Sequence, residues 1–251
     1  MATRPDPAVL YPDVAPHGSL AAALRVAAGE GFLTAPVESS ASDPLMRAAV
    51  ASTLPHRDAL YVSSWHFERR WSIRGQESYQ GMALVEGVTE DLAQVARAAQ
   101  AWHDGAALDD IRRLAPFVEP TGRFEVPDGD PLLLTESEWQ HLRAEARTAE
   151  CPGDAYRALV EAAYAEPALR ALYPFTSHWA LRFSTTTRRR LADVGPILMA
   201  HTVDRYTVNA DLTGESVLAH TTTAREAAAI AAHRLPPGLG PVTPGADHLR
   251  E

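Results

Sequence analysis

The stretch YPFTSHWALRFSTTTRRR, residues 173–190, decides how the chain folds. Alternation sets Trp179, Leu181 and Phe183 on one side of an extended chain and Ala180, Arg182 and Ser184 on the other, the signature of a half-buried β-strand over 178–186. Thr185 to Thr187 continue the β-forming composition. Arg188 to Arg190 stand where the strand leaves its sheet, and three charges at a strand exit read as a solvated connection rather than an anion site.

The same period-2 texture recurs downstream in GPILMAHTV (195–203), RYTVNA (205–210) and ESVLAHTT (215–222), each closed by turn-forming residues. A helix precedes them from about Asp154, and an alanine-rich helix, AREAAAIAAHRL (224–235), follows. The first half repeats this order. SLAAALRVAAG (19–29) reads as a helix with a serine cap and a glycine stop. PLMRAAVAS (44–52), ALYVSSWHF (59–67), RRWSIRG (69–75) and GMALVEG (81–87) read as four strands, and a helix capped by Thr89 runs to Gly105. Shifted by 135 positions without a gap, Gly18 falls on Gly153, Leu24 on Leu159, His66 on His201, Arg70 on Arg205 and Val95 on Ile230. These signals predict an α+β fold: a tandem duplication of a helix–four-stranded antiparallel meander–helix unit with a helical connector. The units are 18–105 and 153–240. The connector, 106–152, carries a helix from 136 with Thr135 and Glu138 as its capping box.

Composition narrows the chemistry. The 251 residues carry a formal charge of -9, which disfavours nucleic acid and anionic membranes as partners. All 23 basic residues are arginine, so Schiff-base and P-loop lysine chemistry are excluded. No apolar run reaches the roughly 20 residues of a membrane span, and the proline-broken N-terminus lacks a signal-peptide core, so a cytoplasmic location is expected. The single cysteine, Cys151, forms no intrachain disulfide and reads as an inert thiol. Nucleophile-elbow, zinc-protease, paired CxxC and GxGxxG motifs are missing, so neither metal nor cofactor is expected.

What remains are scattered side chains. His66 and His201, placed at equivalent strand positions by the offset of 135, are candidate general bases if a partly apolar face depresses their pKa values. On the expected strands His66 shares a face with Val62 and Ser64, and His201 with Ile197 and Met199. His178, before its strand, and Glu68, beside the histidine strand, complete the candidate acid–base set, each with a plain structural role as its alternative. Arg47, Arg70, Arg182 and Arg205 fall opposite apolar neighbours and point to an open sheet face suited to carboxylate or phosphate, with Trp65 as a stacking surface.

ERRWSI (68–73), AWHDGA (101–106), TGRFEVPD (121–128), SEWQHLRAEA (137–146), LYPFTSHWALRFSTTT (172–187) and LPPGLGPV (235–242) resemble a family of uncharacterised actinobacterial proteins labelled as a domain of unknown function in natural-product biosynthesis. The resemblance runs from about Tyr11 to Val242. It implies a role in secondary metabolism and supplies no catalytic residues. The expectation is a cofactor-independent tailoring enzyme or small-molecule-binding protein acting on an acidic or polyfunctional intermediate by histidine acid–base chemistry. The alternative is a non-catalytic protein-binding module, of chaperone-like, carrier-binding or immunity type, with exposed strand edges. The partner is accordingly a biosynthetic intermediate or a pathway protein; the oligomeric state stays open.

Overall fold

A computed structural model describes residues 5–29, 32–149, 153–212 and 216–245; Cys151 lies outside them. The fold is α+β, with two antiparallel sheets, and the chain divides between Thr121 and Gly122 into two compact units.

In the first unit, α1 (Pro7–Leu10) and α2 (Leu20–Ala27) precede strands β1 (Val37–Ser39), β2 (Arg47–Val50), β3 (Arg57–Ser64), β4 (Trp71–Glu77) and β5 (Ala83–Thr89). Then come α3 (Leu92–His103), α4 (Leu108–Leu114) and a short β6 (Val118–Pro120). The sheet order follows the chain order, every neighbour antiparallel. Alternation puts Ala48, Val50, Leu60, Val62, Trp71, Ile73 and Val85 on one face, where Leu20 and Leu24 of α2 and Val95, Ala99 and Trp102 of α3 close the core. Gly75 allows the closest approach: a Cβ there would stand 2.6 Å from the Trp102 ring. The opposite face shows Arg47, Tyr61, Arg74, Glu86 and Val88 to solvent.

The second unit opens with α5 (Pro131–Thr148), α6 (Gly153–Ala165) and α7 (Pro167–Arg170). The strands β7 (Tyr173–Ser177), β8 (Ala180–Ser184), β9 (Asp193–Thr202), β10 (Arg205–Asn209) and β11 (Val217–Thr221) form a second antiparallel meander, closed by α8 (Ala224–His233). Leu181, Phe183, Leu198, Tyr206 and Val208 meet Tyr156, Leu159, Ala227 and Ala231 in its core.

Several expectations shift. Each meander has five strands before its closing helix, not four, because 37–39 and 173–177 are strands. His178 and Trp179 are the two turn residues between β7 and β8, with φ of 52° and 65°. Positive φ at both positions matches the primed turn that fits strand twist, but neither residue carries the usual glycine or asparagine signal. Trp179 therefore does not share the core face with Leu181 and Phe183; it is exposed and meets Tyr156 edge-on at 5.2 Å. The cap of α3 is Asp91, whose carboxylate accepts from Ala93 N at 2.9 Å; Thr89 Oγ1 instead accepts from Asp91 N. Helix α5 starts at Pro131, with Asp130 accepting from Leu132 N at 2.7 Å, one turn before the expected box. That leaves Glu138 buried inside the helix, where it holds Arg123 through contacts of 2.7 and 3.0 Å. The segment expected as a connector gives α4 and β6 to the first unit and α5 to the second.

Candidate functional site

The β3–β4 connection gathers most of the side chains singled out from sequence. The ladder ends at the Ser64–Trp71 pair, and Trp65 N donates to Arg70 O at 2.9 Å beyond it. Residues 65–70 thus form a six-residue tip rather than strand. Tyr11, from the proline-rich segment after α1, reaches into its base. Its hydroxyl lies 2.7 Å from the carbonyl of Trp65, 2.9 Å from that of Arg70 and 3.1 Å from that of Glu68, and Arg70 N–H donates back at 3.3 Å. Burial pushes the Tyr11 pKa above its ordinary value, so the hydroxyl keeps its proton and remains a donor. The Tyr11 ring packs on Trp71, 5.5 Å between centroids.

The clamped tip displays two large rings. Trp65 is 40% exposed and Phe67 65%. Arg70 sits 5.3 Å from the Trp65 ring and pairs with Glu68 at 2.5 Å, and Glu90 lies 4.0 Å away. Arg69 stacks on Trp71 at 4.6 Å and pairs with Asp13 at 2.8 Å. A cleft of about 380 Å³ lined by Arg70, Val88, Thr89 and Glu90 runs alongside. His66 is in this tip and not on the face of Val62 and Ser64; its Nδ1 is buried without a hydrogen-bond partner. Arg47 is exposed on β2, paired in register with Ser63, on the open sheet face of the same unit.

In the second unit His201 lies near the end of β9. Its Nε2 is 3.0 Å from Thr207 Oγ1, which Asn209 Nδ2 approaches at 3.4 Å. Since the amide donates to the hydroxyl, the hydroxyl proton is free to reach Nε2 of a neutral imidazole. Burial, then the charges of Arg205 and His220, lower the His201 pKa, which fits that neutral form. Arg205 is exposed at the start of β10. Arg182 is ion-paired with Asp193, stacks on Phe175 at 4.9 Å and lines a cleft of about 370 Å³ with Val194, Pro196 and Ile197. His178 Nδ1 lies 3.2 Å from Ser177 Oγ in the β7–β8 turn.

The two hairpins differ in length: six residues separate the paired Ser64 and Trp71, and five separate the paired Ala200 and Tyr206. Glu68, Arg70, His66 and Trp65 come together in one tip; His201 and Arg205 share another hairpin; His178 and Arg182 belong to the β7–β8 hairpin. Among the described residues no group of three or more His, Cys, Asp or Glu is placed to hold a metal ion. No helix of the described residues is long and apolar enough to cross a membrane. Sequence reasoning missed Phe67 and Tyr11. Phe67 was visible as an apolar residue in a charged connection, WHFERRW; Tyr11 carried no local signal.

A model of a family of unknown function, DUF6193, matches residues 133–246, less than half of the chain and nearly all of it from α5 onward in the second unit. No curated protein and no solved structure matches the chain significantly.

Proposed function

We propose that the protein is a non-catalytic protein-binding module whose primary contact is the Trp65–Arg70 tip. The observation that carries this reading is a pair of exposed aromatic rings on a loop fixed from below by one buried hydroxyl. Exposing Trp65 and Phe67 forgoes their burial, and fixing the loop removes ordering entropy from a docking event. Tryptophan and arginine side by side are the composition of interface anchors. Exposed to 40% and 65%, the two rings still have about 160–260 Å² to bury on a partner, a quarter or so of the roughly 800 Å² per side of a stable interface. Val88, which lines the cleft beside Arg70, adds an exposed apolar side chain next to the tip. The charge of -9 favours a protein over nucleic acid or an anionic membrane.

In the setting the resemblance implies, an actinobacterial natural-product pathway in the cytoplasm, the partner is a pathway protein. The tailoring-enzyme reading has less to rest on. His66 lies in the tip with Glu68 paired to Arg70, and His201 is bonded to Thr207 on a different hairpin from His178. The test is photo-crosslinking in the native host with a benzophenone side chain at position 67. Crosslinking to one protein, lost on Trp65→Ala, supports the proposal. Crosslinks that survive Trp65→Ala, or match those from a probe at exposed Val26, count against it.

The finer architecture belongs to the same proposal: units 18–105 and 153–240 descend from one duplicated segment, joined by 106–152. Three correspondences support it, two at an offset of 135 and one at 132. Buried Leu20, Ala21 and Leu24 of α2 match Ala155, Tyr156 and Leu159 of α6 at an offset of 135. The Val37–Val50 register has the same spacing as a pairing of 172 with 185, one step along the ladder from Tyr173–Ser184. Buried Leu92, Val95, Ala96 and Ala99 of α3 match Ala224, Ala227, Ala228 and Ala231 of α8 at 132, not 135, so Val95 pairs with Ala227 rather than Ile230. Profiles built from homologues of each half should align at those offsets; profiles no more alike than unrelated α+β halves would sink it.

A further inference from the structure

Sheet edges invite strand addition, and native proteins blunt them. Among the described residues three of the four edges here are blunted. β1 is three residues long with exposed Glu38 at its centre. β6 is three residues long, carries Glu119 and ends in Pro120. β7 contains Pro174, and Val242 of the C-terminal segment packs on Tyr173 and Phe175. β11 differs. Its five residues, VLAHT, include no proline and no formal charge; its ladder with β10 shifts register once, at Leu218, and runs regularly from Ala219 to Thr221, and among the described residues it pairs only with β10. Val217 is 41% exposed and Leu218 36%.

Beside this edge lies a groove of about 460 Å³ between β11 and α8, floored by Leu218, Ala219, Ala229 and Ile230, with Glu226 and Arg234 also lining it. Glu226 is in the first turn of α8 and Arg234 is its C-cap. At 1.5 Å per residue, the eight positions between them span about 12 Å. A strand rises about 3.3 Å per residue, so that distance is about four strand residues, an even number that returns side chains to the same face.

We infer that the β11–α8 groove receives an extended peptide segment added antiparallel to β11, with a cation near Glu226, an apolar residue two positions on and a carboxylate two further on near Arg234. The order is set by the chain. β11 and α8 are joined by two residues, Thr222 and Thr223, and so run in opposite senses. A segment antiparallel to β11 therefore begins at the Glu226 end. Backbone hydrogen bonds to the edge supply affinity, and the alternate side chains reaching the helix supply selection. This surface is separate from the Trp65 tip, and the inference does not depend on it.

The probe is a fluorescein-labelled peptide with the central order arginine–threonine–valine–threonine–glutamate, capped at both ends, titrated against the full chain by fluorescence anisotropy. The control exchanges the arginine and the glutamate. The expected result is saturable binding below about 1 mM, at least about fivefold tighter for the parent order. Both Leu218→Lys, on the exposed edge, and Ala229→Arg, on the exposed helix face, should weaken it by about tenfold or more while circular dichroism stays unchanged. Hydrogen exchange should slow at the amides of β11 when the peptide binds. No saturable binding, equal binding of both orders, or binding indifferent to the two variants overturns the inference. So does a dimer in sedimentation that Leu218→Lys dissolves, because the edge would then be filled by a second copy of the chain.

Discussion

Replacing Tyr11 by phenylalanine removes one oxygen and keeps the ring against Trp71. That hydroxyl is the hub of the Trp65–Arg70 tip, in contact with three carbonyls and one N–H. Without it the Trp65 and Glu68 carbonyls lose the single proton they share and the N–H of Arg70 loses the hydroxyl as acceptor, while the Arg70 carbonyl keeps the N–H of Trp65. One hydrogen bond is worth about 1 kcal/mol net, and leaving a buried polar group unpaired adds about 1–3 kcal/mol, so a loss of about 1–3 kcal/mol is expected where water partly re-solvates the tip. Urea unfolding followed by tryptophan fluorescence measures the stability, and hydrogen exchange over residues 64–72 locates the effect. Amides there should exchange faster by about tenfold for each 1.4 kcal/mol lost locally. A stability change below about 0.5 kcal/mol with unaltered exchange would refute the claim that the hydroxyl fixes the tip.

Breaking the buried Arg123–Glu138 pair with Glu138→Ala should cost about 3–5 kcal/mol, since the buried guanidinium loses both of its contacts to that carboxylate; thermal unfolding of the variant checks this. The folded-state pKa of His201 is lowered below its ordinary 6.5. Its contribution to stability is therefore present above that value and lost as pH falls through the depressed one. Urea midpoints should decline below pH 6.5 in the parent and decline less in His201→Asn; parallel pH profiles would contradict the assignment. Gly75→Ala forces a Cβ into the Trp102 ring and should cost about 1–3 kcal/mol, read as a lower urea midpoint with an unchanged slope.

Strand and helix order was legible because burial writes a period into the sequence: Leu60/Val62 and Leu181/Phe183 alternate as strands must, and the alanine-rich helices announce themselves by composition. Boundaries moved where capping chemistry competed. Thr135 and Glu138 fit a capping box, yet Asp130-Pro131 started the helix one turn earlier and freed Glu138 to hold Arg123. The His178–Trp179 turn was hidden because neither residue is the glycine or asparagine that marks a two-residue hairpin turn, and alternation alone then set Trp179 on the face of Leu181 and Phe183. The site was half visible. Trp65, His66, Glu68 and Arg70 were singled out individually, but a strand carried through Phe67 would have scattered them to both faces. The contact that gathers them comes from Tyr11, more than fifty residues away, and period and propensity are blind to such a contact. The offset of 135 set His66 and His201 on like strands, but His66 sits in a six-residue tip while His201 lies near the end of β9, because turn length, which periodicity does not report, decides where a strand stops.

The most direct measurement is a native mass spectrum of the chain isolated gently from its host, beside that of a Trp65→Ala/Phe67→Ala variant prepared in parallel. The account predicts an added polypeptide mass on the parent that the variant lacks, with both chains equally folded. A discrete added mass of small-molecule size, retained by the variant, would contradict it.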